Sequence, residues 1–82
     1  MSIRKLKEDY GLKYDSRDIG SYISKLRQQQ KLTRNKLARI SGVDTPVLTR
    51  IEQGKSSPVL DTLLMIIDGL GMLPMEFFRK FG

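Results

Sequence analysis

The sequence predicts an all-α domain, on three observations. Apolar residues recur at helical spacing along the chain, no stretch alternates apolar and polar as a strand does, and most helical stripes are bounded by a capping residue or a glycine. The first 17 residues are the least regular part. Ile3, Leu6 and Tyr10 are spaced for one or two helical turns with Gly11 as a stop, while Arg4, Lys5, Lys7 and Arg17 would equally suit a mobile basic arm. Asp18 is a good N-cap for a stripe of Ile19, Tyr22, Ile23 and Leu26, which predicts a helix over about residues 18 to 30.

Thr33 can cap a short second helix, about 33 to 41, with Leu37, Ala38 and Ile40 inward and Gly42 ending it in the left-handed conformation. Asp44 caps a third, about 45 to 53, with Val47, Leu48 and Ile51 inward and Gly54 as terminator. Pro46 fits there because first-turn amides have no intrahelical acceptor. After the loop Lys55-Ser56-Ser57-Pro58, the residues Leu60, Leu63, Leu64, Ile67 and Leu70 resume helical spacing. Met65 and Ile66 widen that apolar face until Gly69 and Gly71 close it, which suits a central helix. Pro74 fits the first turn of a last short helix carrying Phe77 and Phe78, with Phe81 as a further candidate member. The organisation expected is an extension over 1–17, as an arm or a short helix, and a compact five-helix domain over 18–82.

Composition narrows the chemistry. With 82 residues, no Cys and no His, the chain is one small domain held by a hydrophobic core, without disulfide staples, thiol catalysis or imidazole acid–base work. Its carboxylates are scattered singly and no nucleophile has an adjacent base, so neither an enzyme, a metal site nor a cofactor is expected. The longest apolar run, Leu63 to Ile67, is far short of the roughly 20 residues that span a bilayer, and there is no signal-peptide core. A cytoplasmic protein without membrane contact is the expectation.

Charge points to an acidic partner. Residues 1–55 hold 13 basic and 6 acidic side chains, and the stretch Ile19 to Val43 contains Lys25, Arg27, Lys31, Arg34, Lys36 and Arg39 with no acid. Charge alone divides evenly between nucleic-acid binding and a solvated helical face. The second and third helices, joined by the tight turn Ser41-Gly42-Val43, make a helix-turn-helix pattern. On a wheel of about 100° per residue, Leu48, Ile51 and Val47 share one side of the third helix and Pro46, Thr49, Arg50 and Gln53 the other. Val47 lies at the boundary, nearer the core. The outward face is small, polar and cationic.

These residues resemble a known family, the phage-repressor and Cro type, or xenobiotic-response-element (XRE) type, of helix-turn-helix domain. The matching text is Ile19-Gly20, Leu26-Arg27, Leu32-Thr33, Leu37-Ala38, Ser41-Gly42-Val43, Ile51-Glu52-Gln53-Gly54-Lys55, Pro58, Thr62-Leu63, Leu70-Gly71 and Phe77-Phe78, covering about residues 18 to 79. The resemblance implies a lambda-repressor-like fold and a DNA-binding transcriptional regulator of a bacterium or phage, most simply a repressor. An antitoxin or a partner-controlled protein-interaction module on the same fold is the other reading. Departures stand at Arg34, Thr45 and Pro46, where relatives often carry Gln at helix starts, and at Val59 and Leu73, commonly Ser or Thr.

Sorted by role, Thr45, Pro46, Thr49 and Arg50 are expected to read base edges, with Arg50 as the guanine reader. By resemblance and charge, Thr33, Arg34, Gln53, Lys55 and Ser56 are expected to touch phosphates. The resemblance further implies an ion pair between Arg27 and Glu52 that fixes the angle of the reading helix. The expected partner is double-stranded DNA with a palindromic operator, bound by a homodimer. Exposed members of the phenylalanine cluster, with Ile3, Leu6 and Tyr10, are candidates for the two-fold interface.

Overall fold

A computed structural model describes residues 4–81, so Ile3 lies outside the described residues. It contains α1 (Leu6–Tyr10), α2 (Ser16–Gln29), α3 (Arg34–Ser41), α4 (Thr45–Glu52), α5 (Leu60–Gly69) and α6 (Pro74–Lys80), with no strand among the described residues. Five helices match those read from the sequence. The sixth, α1, is a short helix in the extension, closed by Gly11 at φ 68°.

The start of α2 corrects the sequence reading by one turn. Asp15, not Asp18, is the N-cap: its carboxylate accepts from the Arg17 amide, and Asp18 returns the bond by accepting from the Asp15 amide at 2.9 Å. Two aspartates three residues apart form a reciprocal capping box, and either one alone reads as a cap. Thr33 does cap α3, its Oγ1 accepting from the Lys36 amide at 3.1 Å, and Gly42 ends that helix at φ 74°. Asp44 makes no side-chain capping bond at α4, where Pro46 has removed one of the amides a cap would use. At α6 the carboxylate of Glu76 accepts from the Leu73 amide at 3.0 Å, so a third-position acid does what the apolar Leu73 cannot.

The core is centred on Ile23, Leu37, Leu48, Ile51, Ile66, Ile67 and Phe77, one or more from each of α2 to α6. Burying each such side chain contributes about 1.5–3 kcal/mol, against about 0–1 for an exposed ion pair, so packing dominates the stability. Several apolar residues read as inward are not. Ile40 is 51% exposed, because α3 meets its neighbours through Leu37, Ala38 and Ser41. Leu60, Leu64 and Met65 of α5 are exposed as well; that helix buries only Leu63, Ile66 and Ile67. Phe77 is fully buried beside Tyr22, whose hydroxyl donates to the Phe77 carbonyl, whereas Phe78 is half-exposed.

Two glycines set how closely the helices pack. A Cβ on Gly20 would fall 2.0 Å from the Ile51 carbonyl oxygen, so α2 lies directly against the backbone of α4. A Cβ on Gly69 would fall 2.0 Å from Ser41 Oγ, a buried hydroxyl with no hydrogen-bond partner among the described residues. Gly20→Ala should therefore destabilise severely, by about 3 kcal/mol or more, since backbone must move. Gly69→Ala should be costly too, yet partly rescued by Ser41→Gly. Thermal melts of the three variants check this; an unrescued Gly69→Ala would place the strain elsewhere.

Asp15 supplies a pH dependence. Its buried carboxyl is held down at about 2, first by the Arg17 guanidinium and then by the Arg17 amide. Arg17 also meets Glu8 at 2.6 Å, and Lys7 meets Asp18 at 2.8 Å. Because the folded value lies below the ordinary 3.8, the stabilisation is present above about pH 4 and lost as pH falls through about 2. The melting midpoint should decline across that window, and Asp15→Asn should flatten the decline when midpoints are measured from pH 5 to 2.

Candidate nucleic-acid interface

The α3–turn–α4 unit is closed by main-chain bonds: the Gly42 amide donates to Arg39 at 3.3 Å and the Val43 amide to Ala38 at 3.0 Å. Leu48, Ile51 and Glu52 face inward from α4. On its outer face Pro46 and Arg50 are exposed and Thr45 and Thr49 half-buried. Val47, which the wheel placed at the core boundary, is 42% exposed beside Pro46, so the outer face is more apolar than the sequence reading held. A residue one step before a buried leucine falls on either side according to helix rotation, which sequence spacing leaves free.

The residues expected at phosphates flank this helix. Gln53 and Lys55 are exposed and Ser56 is half-buried, all just beyond the end of α4, while Thr33 and Arg34 open α3. Arg50 leans toward the first group, its Nε donating to Ser56 Oγ at 3.1 Å. Asp44 is exposed at the start of α4. The loop after α4 rests on the first turn of α2. Gly54, at φ 74°, lies over the Arg17 side chain, and the hydroxyls of Ser16 and Ser57 are 2.6 Å apart.

Behind α4 sits a buried ionic cluster. The Glu52 side chain has no exposed surface and takes a two-pronged contact from Arg27, Nε to Oε2 at 2.8 Å and Nη2 to Oε1 at 3.0 Å. The third donor of Arg27, Nη1, reaches the Leu32 carbonyl at 2.8 Å. Arg34, placed among the phosphate contacts by the sequence, also donates its Nε to Glu52 Oε1 at 2.9 Å. Helical periodicity carries no signal for that second arginine, because its contact depends on how α3 crosses the end of α4. In the extension, Lys7 and Arg17 are engaged with carboxylates, and residues 4–18 hold five basic against four acidic side chains.

No group of His, Cys, Asp and Glu suited to a metal ion and no pocket occurs among the described residues. No described helix is long and apolar enough to cross a membrane.

Comparison with known proteins agrees with this geometry. The helix-turn-helix family model matches residues 23–78. The HTH-type transcriptional regulator PuuR of Escherichia coli (strain K12) is 37% identical over 61 residues, 74% of this chain and 33% of that protein, so the chain spans about a third of that relative's length. The restriction-modification controller protein C.Esp1396I, solved as a tetramer in complex with its natural 35 base-pair operator, superposes with a TM-score of 0.76 at 25% identity, covering 78% of this chain and 84% of that one. A transcriptional regulator from Vibrio cholerae superposes at 0.73 with 33% identity, covering 78% and 36%. Matched over more than half its length, this chain belongs to the XRE-type helix-turn-helix family of DNA-binding transcriptional regulators.

Proposed function

We propose that this chain binds a specific double-stranded DNA operator as a homodimer and regulates transcription, most simply as a repressor, in the cytoplasm of a bacterium or of a phage's host. The observation that carries the reading is the outer face of α4. It is narrow, it carries Thr45, Pro46, Thr49 and Arg50, and the acid at the end of its inner side, Glu52, is fully engaged by arginines. A carboxylate left free there would repel phosphate. In this reading α4 enters the major groove, while Thr33, Arg34, Gln53, Lys55 and Ser56 meet phosphates on either side and fix the register. The role involves binding and no covalent step.

A second copy is supported by exposed apolar surface around α5 and α6. Val59, Leu60, Leu64 and Met65 around α5, with Leu73, Met75 and Phe78 around α6, give a two-fold interface its apolar material. One helix reads only a few base pairs, and two copies about 34 Å apart read a palindrome. Light scattering on the free protein and the complex tests the dimer; a monomer on a single half-site would contradict it.

Binding should weaken steeply with salt, with about four to six phosphate contacts per subunit each adding about −0.9 to the slope. Arg50 is the exposed donor fork of α4, and its terminal nitrogens match the O6 and N7 acceptors of guanine. Arg50→Ala should cost about 1–3 kcal/mol on the preferred operator and relax one position per half-site, read by selection from random duplexes. An unchanged selected sequence would assign Arg50 to backbone, the role its tie to Ser56 would serve.

Glu52→Gln should act differently. It leaves Arg27 buried without its counter-charge, which costs about 3–5 kcal/mol, yet it removes no base contact. The melting midpoint should fall while the sequence selected by the folded fraction stays the same.

A further inference from the structure

We propose that Arg34 is a phosphate clamp aligned in advance by Glu52, so that Glu52 acts as a positioning residue for DNA binding as well as a link between helices. The proposal rests on the DNA-binding reading above. Arg27 and Arg34 share one carboxylate but not one role. Arg27 is nearly buried, and its Nε, Nη1 and Nη2 all point into the protein, to Glu52 and the Leu32 carbonyl. It has no donor face to offer. Arg34 is 39% exposed and spends only its Nε, on Glu52 Oε1. Its two terminal nitrogens make no hydrogen bond among the described residues.

The charge balance leads the same way. Arg27 already matches the single negative charge of Glu52, so Arg34 brings a positive charge in excess. A guanidinium held by Nε has its plane fixed, and the paired terminal nitrogens then present the two parallel donors that suit phosphate oxygens. A free arginine loses rotamer freedom when it binds; here much of that loss has been taken on folding. The ligand is therefore a backbone phosphodiester beside the start of α3. Lysine at this position would keep the charge but could not hold Glu52 with one nitrogen and phosphate with two others.

Wild type, Arg34→Lys and Arg34→Gln would be titrated with one operator duplex from 50 to 250 mM salt, beside melting curves. Arg34→Gln should lower the salt slope by about 0.9, a change that a merely structural role would not produce. Arg34→Lys should keep the wild-type slope yet bind about 3- to 10-fold more weakly, because charge remains and alignment is gone. Should Arg34→Gln unfold, Arg34→Lys carries the test, since it leaves a cation beside Glu52. Wild-type affinity in Arg34→Lys, or an unchanged slope in Arg34→Gln, would overturn the proposal. A wild type that selects no duplex from a random pool would overturn the DNA reading beneath it instead.

Discussion

The carboxylate of Glu52 is the point on which the arrangement of the helices depends. It is the last residue of α4, its side chain is fully buried, and it accepts from Arg27 of α2 and Arg34 of α3. Arg27 extends the cluster to the Leu32 carbonyl between those helices. A buried charge must be matched or the fold is penalised, so any rotation of α4 that opens these contacts is disfavoured. Apolar side chains of similar volume could fill the same space, and as a source of stability they could do as well. They could not fix direction: three directional bonds to two oxygens restrict angle in a way that dispersion contacts do not.

The angle of α4 is one quantity the fold fixes; the other is how closely it is seated on its neighbours. That is set by close packing at residues without side chains, Gly20 beneath the Ile51 carbonyl and Gly69 against Ser41. α2 and α4 are thereby brought to backbone contact, and α3 is held to α5 by the second glycine. Together with the ionic cluster, these contacts fix how α4 sits against α2 and how α3 sits against α5. The loop after α4 shares the same support, since Gly54 lies over Arg17 and Ser57 meets Ser16, both in the first turn of α2.

What the sequence made legible follows from what periodicity and caps encode. Thr33, Gly42 and Gly54 mark boundaries by local chemistry, and those boundaries stand within a residue or two in the structure. The sequence reading places the start of α2 one turn late, at Asp18, because Asp15 and Asp18 each satisfy the same local rule and only their reciprocal bond distinguishes them. Ile40, Val47, Leu64 and Met65 fail for a different reason. An apolar residue at helical spacing shows which stripe is greasy, not how wide a strip the neighbouring helices cover, and in a small domain that strip is narrow. Around the candidate interface, the outward side of α4 was readable from a wheel. The Arg34–Glu52 contact and the tie from Arg50 to Ser56 join residues on different elements and needed the tertiary structure.

Those contacts also change what the basic composition means. Of the 13 cationic side chains in the first 55 residues, Lys7 and Arg17 are paired with carboxylates of the extension and first turn of α2, and Arg27 is turned wholly inward. The extension, whose sequence suits either a basic arm or a short helix, carries nearly as many acids as bases. Arg4, Lys5 and Lys13 of the extension are exposed and without an ion pair among the described residues, and the rest of the positive charge left for a polyanion is carried by Lys25, Lys31, Lys36, Arg39, Arg50 and Lys55, exposed and unpaired in the same way, together with the free end of Arg34. The cations from Lys25 to Lys55 run from the second half of α2 through α3 and α4 to the loop beyond. Net charge thus overstates the electrostatic drive, while its placement strengthens it: Glu8, Asp15, Asp18 and Glu52 are engaged in holding the scaffold, and most of the cations left unmatched in the first 55 residues lie along the segment from α2 to the loop after α4.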